Sequence, residues 1–123
     1  MLNVSEKRLG SVVVFCLAGP IVIGELSALR KATGELTHLT TLLLDLRSAN
    51  MIDAAGLGLL LELRQDLKVK GIELRLTNVN ERINWLLKIT RLDTVFETAS
   101  SATVLHVNPL TPAIPLSRLA PCA

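Results

Sequence analysis

Thr40-Thr41-Leu42-Leu43-Leu44-Asp45-Leu46 is apolar at both odd and even positions. A strand with one wet face alternates polar and apolar residues, so this segment belongs in the middle of a sheet covered on both sides, the usual setting of parallel strands. Parallel strands need connections long enough to hold a helix, and the flanking sequence supplies two. From Gly24, Leu26, Leu29, Leu36 and Leu39, with Ala32 and Thr33 between them, recur at helical spacing, and Glu25, Arg30, Lys31 and Glu35 take the other side; Gly34 weakens the pattern. After a loop over Arg47 to Ile52, Asp53 stands as an N-cap before a leucine-rich helix that stops near Lys70-Gly71.

The remaining elements follow the same logic. Leu2 to Leu9 alternates, Gly10-Ser11 is a turn signal, and Ser11 to Ala18 is a β-branched apolar strand, so the chain opens on a hairpin. Ile72 to Thr77 alternates strictly, Asn80 caps a short helix over Glu81 to Ile89, Thr94 to Thr98 is a short last strand, and Ser101 to Val107 reads as a terminal helical turn. The order ββαβαβαβ(α) describes an α/β domain with a mixed central sheet and helices packed against it, over residues 1–107. Pro109, Pro112, Pro115 and Pro121 then crowd the end, so 108–123 reads as a proline-rich, mobile tail.

Composition narrows the function classes. Half of the 123 residues are hydrophobic, which excludes disorder for most of the chain, and leucine at 26 positions supplies the bulk that three aromatic residues cannot. The formal charge of +2 is interspersed, with neither the clustered Lys/Arg nor the aromatic platforms of a nucleic-acid interface. Cys16 sits in an apolar run and Cys122 beside the C-terminus, a pair that makes no disulfide framework, so the expectation is two thiols in a cytoplasmic setting. Lys7-Arg8 followed by Val12 to Ala18 imitates the basic and apolar regions of a signal peptide, but Glu6, Gly19-Pro20 and the regular continuation argue for a folded domain. No stretch reaches the roughly 20 apolar residues of a membrane span, so no membrane insertion is expected.

Catalysis requires a constellation, and none assembles. His38 and His106 lack Cys or carboxylate partners at ligand spacing, so neither a metal nor another cofactor is expected. Cys16 lies inside a strand and reads as an inert core thiol. Gly56-Leu57-Gly58 lacks the third glycine and the lysine of a phosphate loop. Asp45 and Asp53 could bring two carboxylates to the C-terminal edge of the sheet, where ligands of α/β folds gather, but one loop-organising aspartate and one helix cap is the favoured reading, since Asp is a leading N-cap residue. The chain is expected not to be an enzyme.

The long helix carries more leucine than one buried stripe needs. At 100° per residue Gly56, Leu59, Leu60, Leu63 and Leu67 share the core-facing arc, whereas Leu57 and Leu61 fall on the adjoining flank with Arg64 and Lys68, on the side toward which Ala54 points. Either a neighbouring helix covers this flank, or it is an apolar docking patch rimmed by basic residues.

The run from Thr41 to Gly58, with Leu44-Asp45-Leu46, Ile52-Asp53-Ala54-Ala55-Gly56-Leu57-Gly58, then Gly71 to Val79 and Leu92-Asp93-Thr94-Val95-Phe96, resembles the STAS domain family over residues 2 to 107. That is the domain of sulfate transporters and anti-sigma factor antagonists, and the short chain is similar to the stand-alone bacterial antagonists. The resemblance implies the STAS fold and a partner-switching role: such antagonists bind an anti-sigma factor, typically a serine kinase, and so regulate sigma-factor-dependent transcription. It places the partner-binding residues at Val22, Ala54, Ala55, Leu57, Leu61 and Arg64, with Asp45, Asp53 and Gly56 organising the loop and cap. Family members carry a phosphorylated serine at the start of this helix; here the positions are Ala54 and Ala55, so phosphorylation at the family position is excluded. Gly19-Pro20-Ile21-Val22 also lacks the acidic residue many members have near the Val22 position. Ser48 and Thr40 are the nearby hydroxyls in the sequence. The alternatives are an accessory STAS subunit of a lipid-trafficking ABC transporter or of a larger signalling assembly, and a small nucleotide-binding module using Asp45, Asp53 and Gly56 to Gly58. A monomer or weak dimer is compatible with all of them.

Overall fold

A computed structural model describes residues 1–99, 104, 105, 114, 115 and 122. Strands β1 (Asn3–Leu9) and β2 (Val12–Ile21) form the expected hairpin, with Leu9 opposite Val12 and Gly10 at a positive φ of 59° in the turn. Helix α1 (Ser27–Gly34), strand β3 (Thr41–Ile52), helix α2 (Ala54–Val69), strand β4 (Glu73–Thr77), helix α3 (Glu81–Ile89) and strand β5 (Glu97–Ala99) follow. The five strands lie side by side in chain order, β1 antiparallel to β2 and every later pair parallel, so the sheet is mixed. Two further strands, β6 (Val104–Leu105) and β7 (Ile114–Pro115), pair antiparallel with each other.

The apolar segment sits where its composition requires. All residues from Thr41 to Leu46 are buried, and β3 lies in the centre of the sheet with β2 and β4 beside it. Alternate residues Leu42, Leu44 and Leu46 join Val13, Phe15, Leu17, Leu74 and Leu76 in one core cluster with Leu29 of α1, Leu59, Leu60, Leu63 and Leu67 of α2, and Ile83 and Leu87 of α3. The intervening residues Val12, Val14 and Leu43 are buried as well but stand outside that cluster, because side chains of a pleated strand alternate between faces.

Five expectations are corrected. Arg47 to Ile52 is not a loop: β3 continues to Ile52 because β2 continues to Ile21, and Ser48, Ala49, Met51 and Ile52 pair with Ala18, Gly19, Pro20 and Ile21. Pro20 is tolerated there because β1 pairs no further along β2 than Ala18 and the register shifts between Gly19 and Pro20, so no ladder donor is needed. Helix α1 ends at Gly34, leaving Leu36 and Leu39 buried beyond it in the connection to β3. Val104–Leu105 is a strand rather than a helical turn, and Leu92–Thr94 forms a 3-10 turn before β5. Cys16 and Cys122 are not two thiols: they form a disulfide, because the chain's end returns to β2 despite a separation of 106 residues. The remainder of the 108–123 segment, apart from Ile114, Pro115 and Cys122, and His106, lies outside the described residues.

The two sides of α2 should respond differently to truncation. Leu60→Ala removes a fully buried side chain and should cost about 2–5 kcal/mol by chemical denaturation, whereas Leu61→Ala, at a position 36% exposed, should cost less than about 1 kcal/mol.

Candidate functional site

The ends of β2 and β3 and the start of α2 meet at Asp53. Its extended backbone, φ −109° and ψ −176°, places it outside the helix as the N-cap, and its carboxylate accepts two backbone hydrogen bonds: Oδ1 from Gly56 N at 2.8 Å and Oδ2 from Ile23 N at 3.0 Å. The first satisfies an otherwise unpaired helix donor. The second ties the turn after β2 to the helix, a turn closed by Glu25 N donating to Val22 O at 3.0 Å and by Gly24 at φ 86°. The main chain completes the junction: Asp53 N donates to Ile21 O at 3.3 Å, and Leu57 N to Asp53 O at 2.9 Å. These bonds, that to Ile23 foremost and then that to Gly56, hold the Asp53 carboxyl below its ordinary value, since they favour the charged acceptor.

Gly56 lets the helix approach. A Cβ at this buried position would collide with the carbonyl oxygen of Ile21 and stand 2.8 Å from Ile52 Cγ1. The glycine is therefore a packing requirement of the first turn, and it lies inside a helix that has already begun at Ala54. The amides of Gly56 and Leu57 are both engaged by Asp53. A phosphate would have to displace an anionic cap to reach them, which leaves the Gly56 to Gly58 segment no loop with which to cradle a nucleotide.

Asp45 has a different task. It is 3% exposed inside β3, where the pairing slips between Cys16/Asp45 and Ala18/Ser48. Its Oδ1 accepts from Arg47 N at 2.9 Å, supplying a partner at this bulge, and its Oδ2 accepts from Asn78 Nδ2 at 2.9 Å. Asn78 itself adopts φ 52°, the left-handed region that asparagine tolerates, just beyond β4. Asn80 then caps α3 through Ile83 N at 3.0 Å while its Nδ2 donates to Ala49 O at 2.9 Å. The two aspartates share no hydrogen-bond partner, so they do not form the paired-carboxylate site the sequence left open.

Around the Asp53 junction the surface is apolar. Ala54 is exposed, Ala55 and Val22 are half-buried, and Leu57 packs partly against the core. Leu61, one turn further on, is 36% exposed. Sequence reasoning missed two contributors: Ile23 in the turn after β2 is 76% exposed, and Met51 near the end of β3 is 46% exposed. The unbroken apolar run Ile21-Val22-Ile23 gives no spacing that singles out the first, and the assignment of 47–52 to a loop hid the second. Arg64 is half-buried and about 15 Å along the helix axis from Ala54 at the standard rise. It lines, with Lys68, Gly71, Ile72, Glu73 and Leu74, a separate open cleft of about 320 Å³. The other flank of α2 is occupied, since Arg30 of α1 makes a two-pronged ion pair with Glu62, at 3.0 and 3.1 Å. Thr40, next to Ser11 at the opposite end of β3, is remote from the junction; Ser48 is exposed on β3.

Among the described residues no group of His, Cys, Asp and Glu is arranged to hold a metal ion, and no helix is long and apolar enough to cross a membrane.

The comparisons with known proteins bear on this geometry. A family model for the STAS domain matches residues 3–104. An anti-sigma factor antagonist from Mycobacterium paratuberculosis is similar in structure, with a TM-score of 0.71 at 20% identity, over 80% of this chain and 85% of that one. A putative anti-sigma factor antagonist from Thermotoga maritima gives 0.66 at 21% identity, over 77% and 84%. A protein called Mglu gives 0.58 at 29% identity over 64% of this chain, which spans only 20% of the Mglu chain.

The cap should respond to pH in a defined direction. Because the folded-state value of Asp53 lies below the ordinary one, the unfolded chain takes up its proton first as pH falls. The cap's contribution is therefore complete above the ordinary carboxylate range, declines as pH drops through it and is gone below the folded value. Asp53→Ala should lower the melting temperature at pH 7, and the gap between wild type and variant should narrow as the pH falls through and below the ordinary carboxylate range. Melting curves with a constant gap from pH 7 to pH 2 would contradict the assignment.

Proposed function

The chain belongs to the STAS domain family, and we propose that it acts as an anti-sigma factor antagonist-type regulator, a binding protein rather than a catalyst. Its partner is an anti-sigma factor of the serine-kinase class, and its output is control of sigma-factor-dependent transcription in a bacterial cytoplasm. The observation that carries this reading is the apolar surface formed by Ile23, Ala54 and Leu61 around the Asp53 junction, with Leu57 at its base. Hydrophobic side chains exposed beside a rigid helix start offer the desolvated centre that a protein interface needs. Val22 and Ala55 complete the patch as half-buried neighbours, and Arg64 contributes from its outer edge.

The patch is one that phosphorylation at the helix start cannot switch off. A phosphate there would add about two negative charges within an apolar contact, disrupting it by desolvation and repulsion. Ala54 and Ala55 have no hydroxyl to accept one, so the complex persists when the kinase partner holds ATP. The protein then titrates its partner by concentration and affinity rather than by cycles of modification.

Binding to a serine-kinase anti-sigma factor, measured by calorimetry with and without ATP, tests this. Equal affinity in both conditions is expected, together with a weakening of about tenfold or more for Ala54→Asp. Loss of the wild-type complex on adding ATP, or an Ala54→Asp variant that binds as tightly as wild type, would overturn the proposed face.

A further inference from the structure

Trp85 is the chain's only tryptophan, and it stands 60% exposed on α3, with Ile89 one turn further on and 56% exposed. The helix cannot roll them inward, because Ile83 and Leu87 on its opposite side are locked into the core. Asn80 fixes the helix start through Ile83 N and Ala49 O, so the apolar pair stands on a rigid element. At about 100° per residue, Ile89 and Arg82 lie about 40° and 60° to one side of Trp85. Glu81 and Lys88 lie about 40° and 60° to the other, about 10 Å apart along the axis. All three charged residues are exposed.

The acid and the base on that second flank are unused. Among the described residues neither the Glu81 nor the Lys88 side chain has an ion-pair or hydrogen-bond partner. Their neighbours at helical contact spacing supply no opposite charge: Glu81 has Asn84 and Trp85, and Lys88 has Asn84, Trp85 and Arg91. Each suits the helix dipole at its own end, and together they make the face complementary to itself. A two-fold axis crossing α3 midway between residues 81 and 88, beside Trp85, reverses the helix while keeping each flank on its own side.

We propose that α3 is a homodimer face, on which a second copy of this chain docks antiparallel, with Trp85 packed on its own symmetry mate and Glu81 of each copy facing Lys88 of the other. The symmetry forms that ion pair twice. On the opposite flank Arg82 of one copy falls within about 3 Å, along the axis, of Ile89 of the other, and its aliphatic stem covers that side chain. The antiparallel sense also sets the two helix dipoles against each other favourably. A nine-residue helix offers less than the roughly 800 Å² per partner of a standard interface, so the dimer is a weak one, half-formed on the order of tens of micromolar.

Sedimentation velocity on the full chain over a concentration series at low salt, read beside Trp85 emission, tests this without any partner, so its outcome is independent of the proposed function. A monomer–dimer equilibrium is expected, with the emission shifting to the blue as dimer forms. Trp85→Ala, at an exposed position, should keep its far-ultraviolet circular dichroism and weaken the dimer about tenfold or more. Glu81→Lys and Lys88→Glu should each weaken it at least about threefold. An equimolar mixture of these two variants should dimerise more tightly than either alone, because a mixed dimer restores both ion pairs. Sedimentation as a monomer throughout, a dimer indifferent to Trp85→Ala, or a mixture no tighter than its components would each overturn the inference. So would a monomer whose Trp85 emission shifts on vesicles of anionic phospholipid, which would assign the face to a lipid surface instead.

Discussion

One carboxylate fixes the junction at which β2, β3 and α2 meet. Asp53 joins the turn after β2 to the first turn of α2 through Ile23 N and Gly56 N, and the join closes only because Gly56 has no side chain to strike Ile21. Without the cap, the helix start keeps an unsatisfied donor and the turn loses its tether. Without the glycine, the helix must stand off from the sheet by the width of a methyl group, and Asp53 can no longer reach both amides. Ile23, Ala54 and Leu61 are exposed around this junction, whose carboxylate is occupied by backbone amides.

Much of this was legible in the sequence because it rests on local rules. The two-sided apolar strand from Thr41 to Leu46 demanded a central position and occupies one. The helical arc of Gly56, Leu59, Leu60, Leu63 and Leu67 is the buried set of α2, since periodicity and burial are the same quantity when a helix packs on a sheet. Asp53 and Asn80 stand as caps because a short polar side chain before an apolar run can satisfy a helix donor. What failed depends on pairing between distant segments. Arg47 to Ile52 carries Ser, Asn and Arg and reads as a loop, yet the bulge supported by Asp45 and the extension of β2 make it strand. Exposure of Ile23 and Met51 follows from that extension and could not be read from spacing. The Cys16–Cys122 pairing was hidden for the same reason: nothing local announces that Cys122 meets a residue 106 positions earlier.

The two faces of the sheet thus have different roles. One is sealed by three helices into a permanent core, with Leu42, Leu44 and Leu46 at its centre. The other carries Val12, Val14 and Leu43, buried but outside the helical cluster, with Cys16 beside them bonded to Cys122. The junction at Asp53 lies at the far ends of β2 and β3 from the hairpin turn.

Amide hydrogen exchange on the complex with a serine-kinase anti-sigma factor, in the presence of ATP, is the most direct measure of the account. Protection concentrated at residues 22–24 and 51–61, and persisting with ATP, is the predicted footprint. Protection centred instead on α3, where Trp85 and Ile89 are also exposed, with residues 22–24 and 51–61 unchanged, would contradict it.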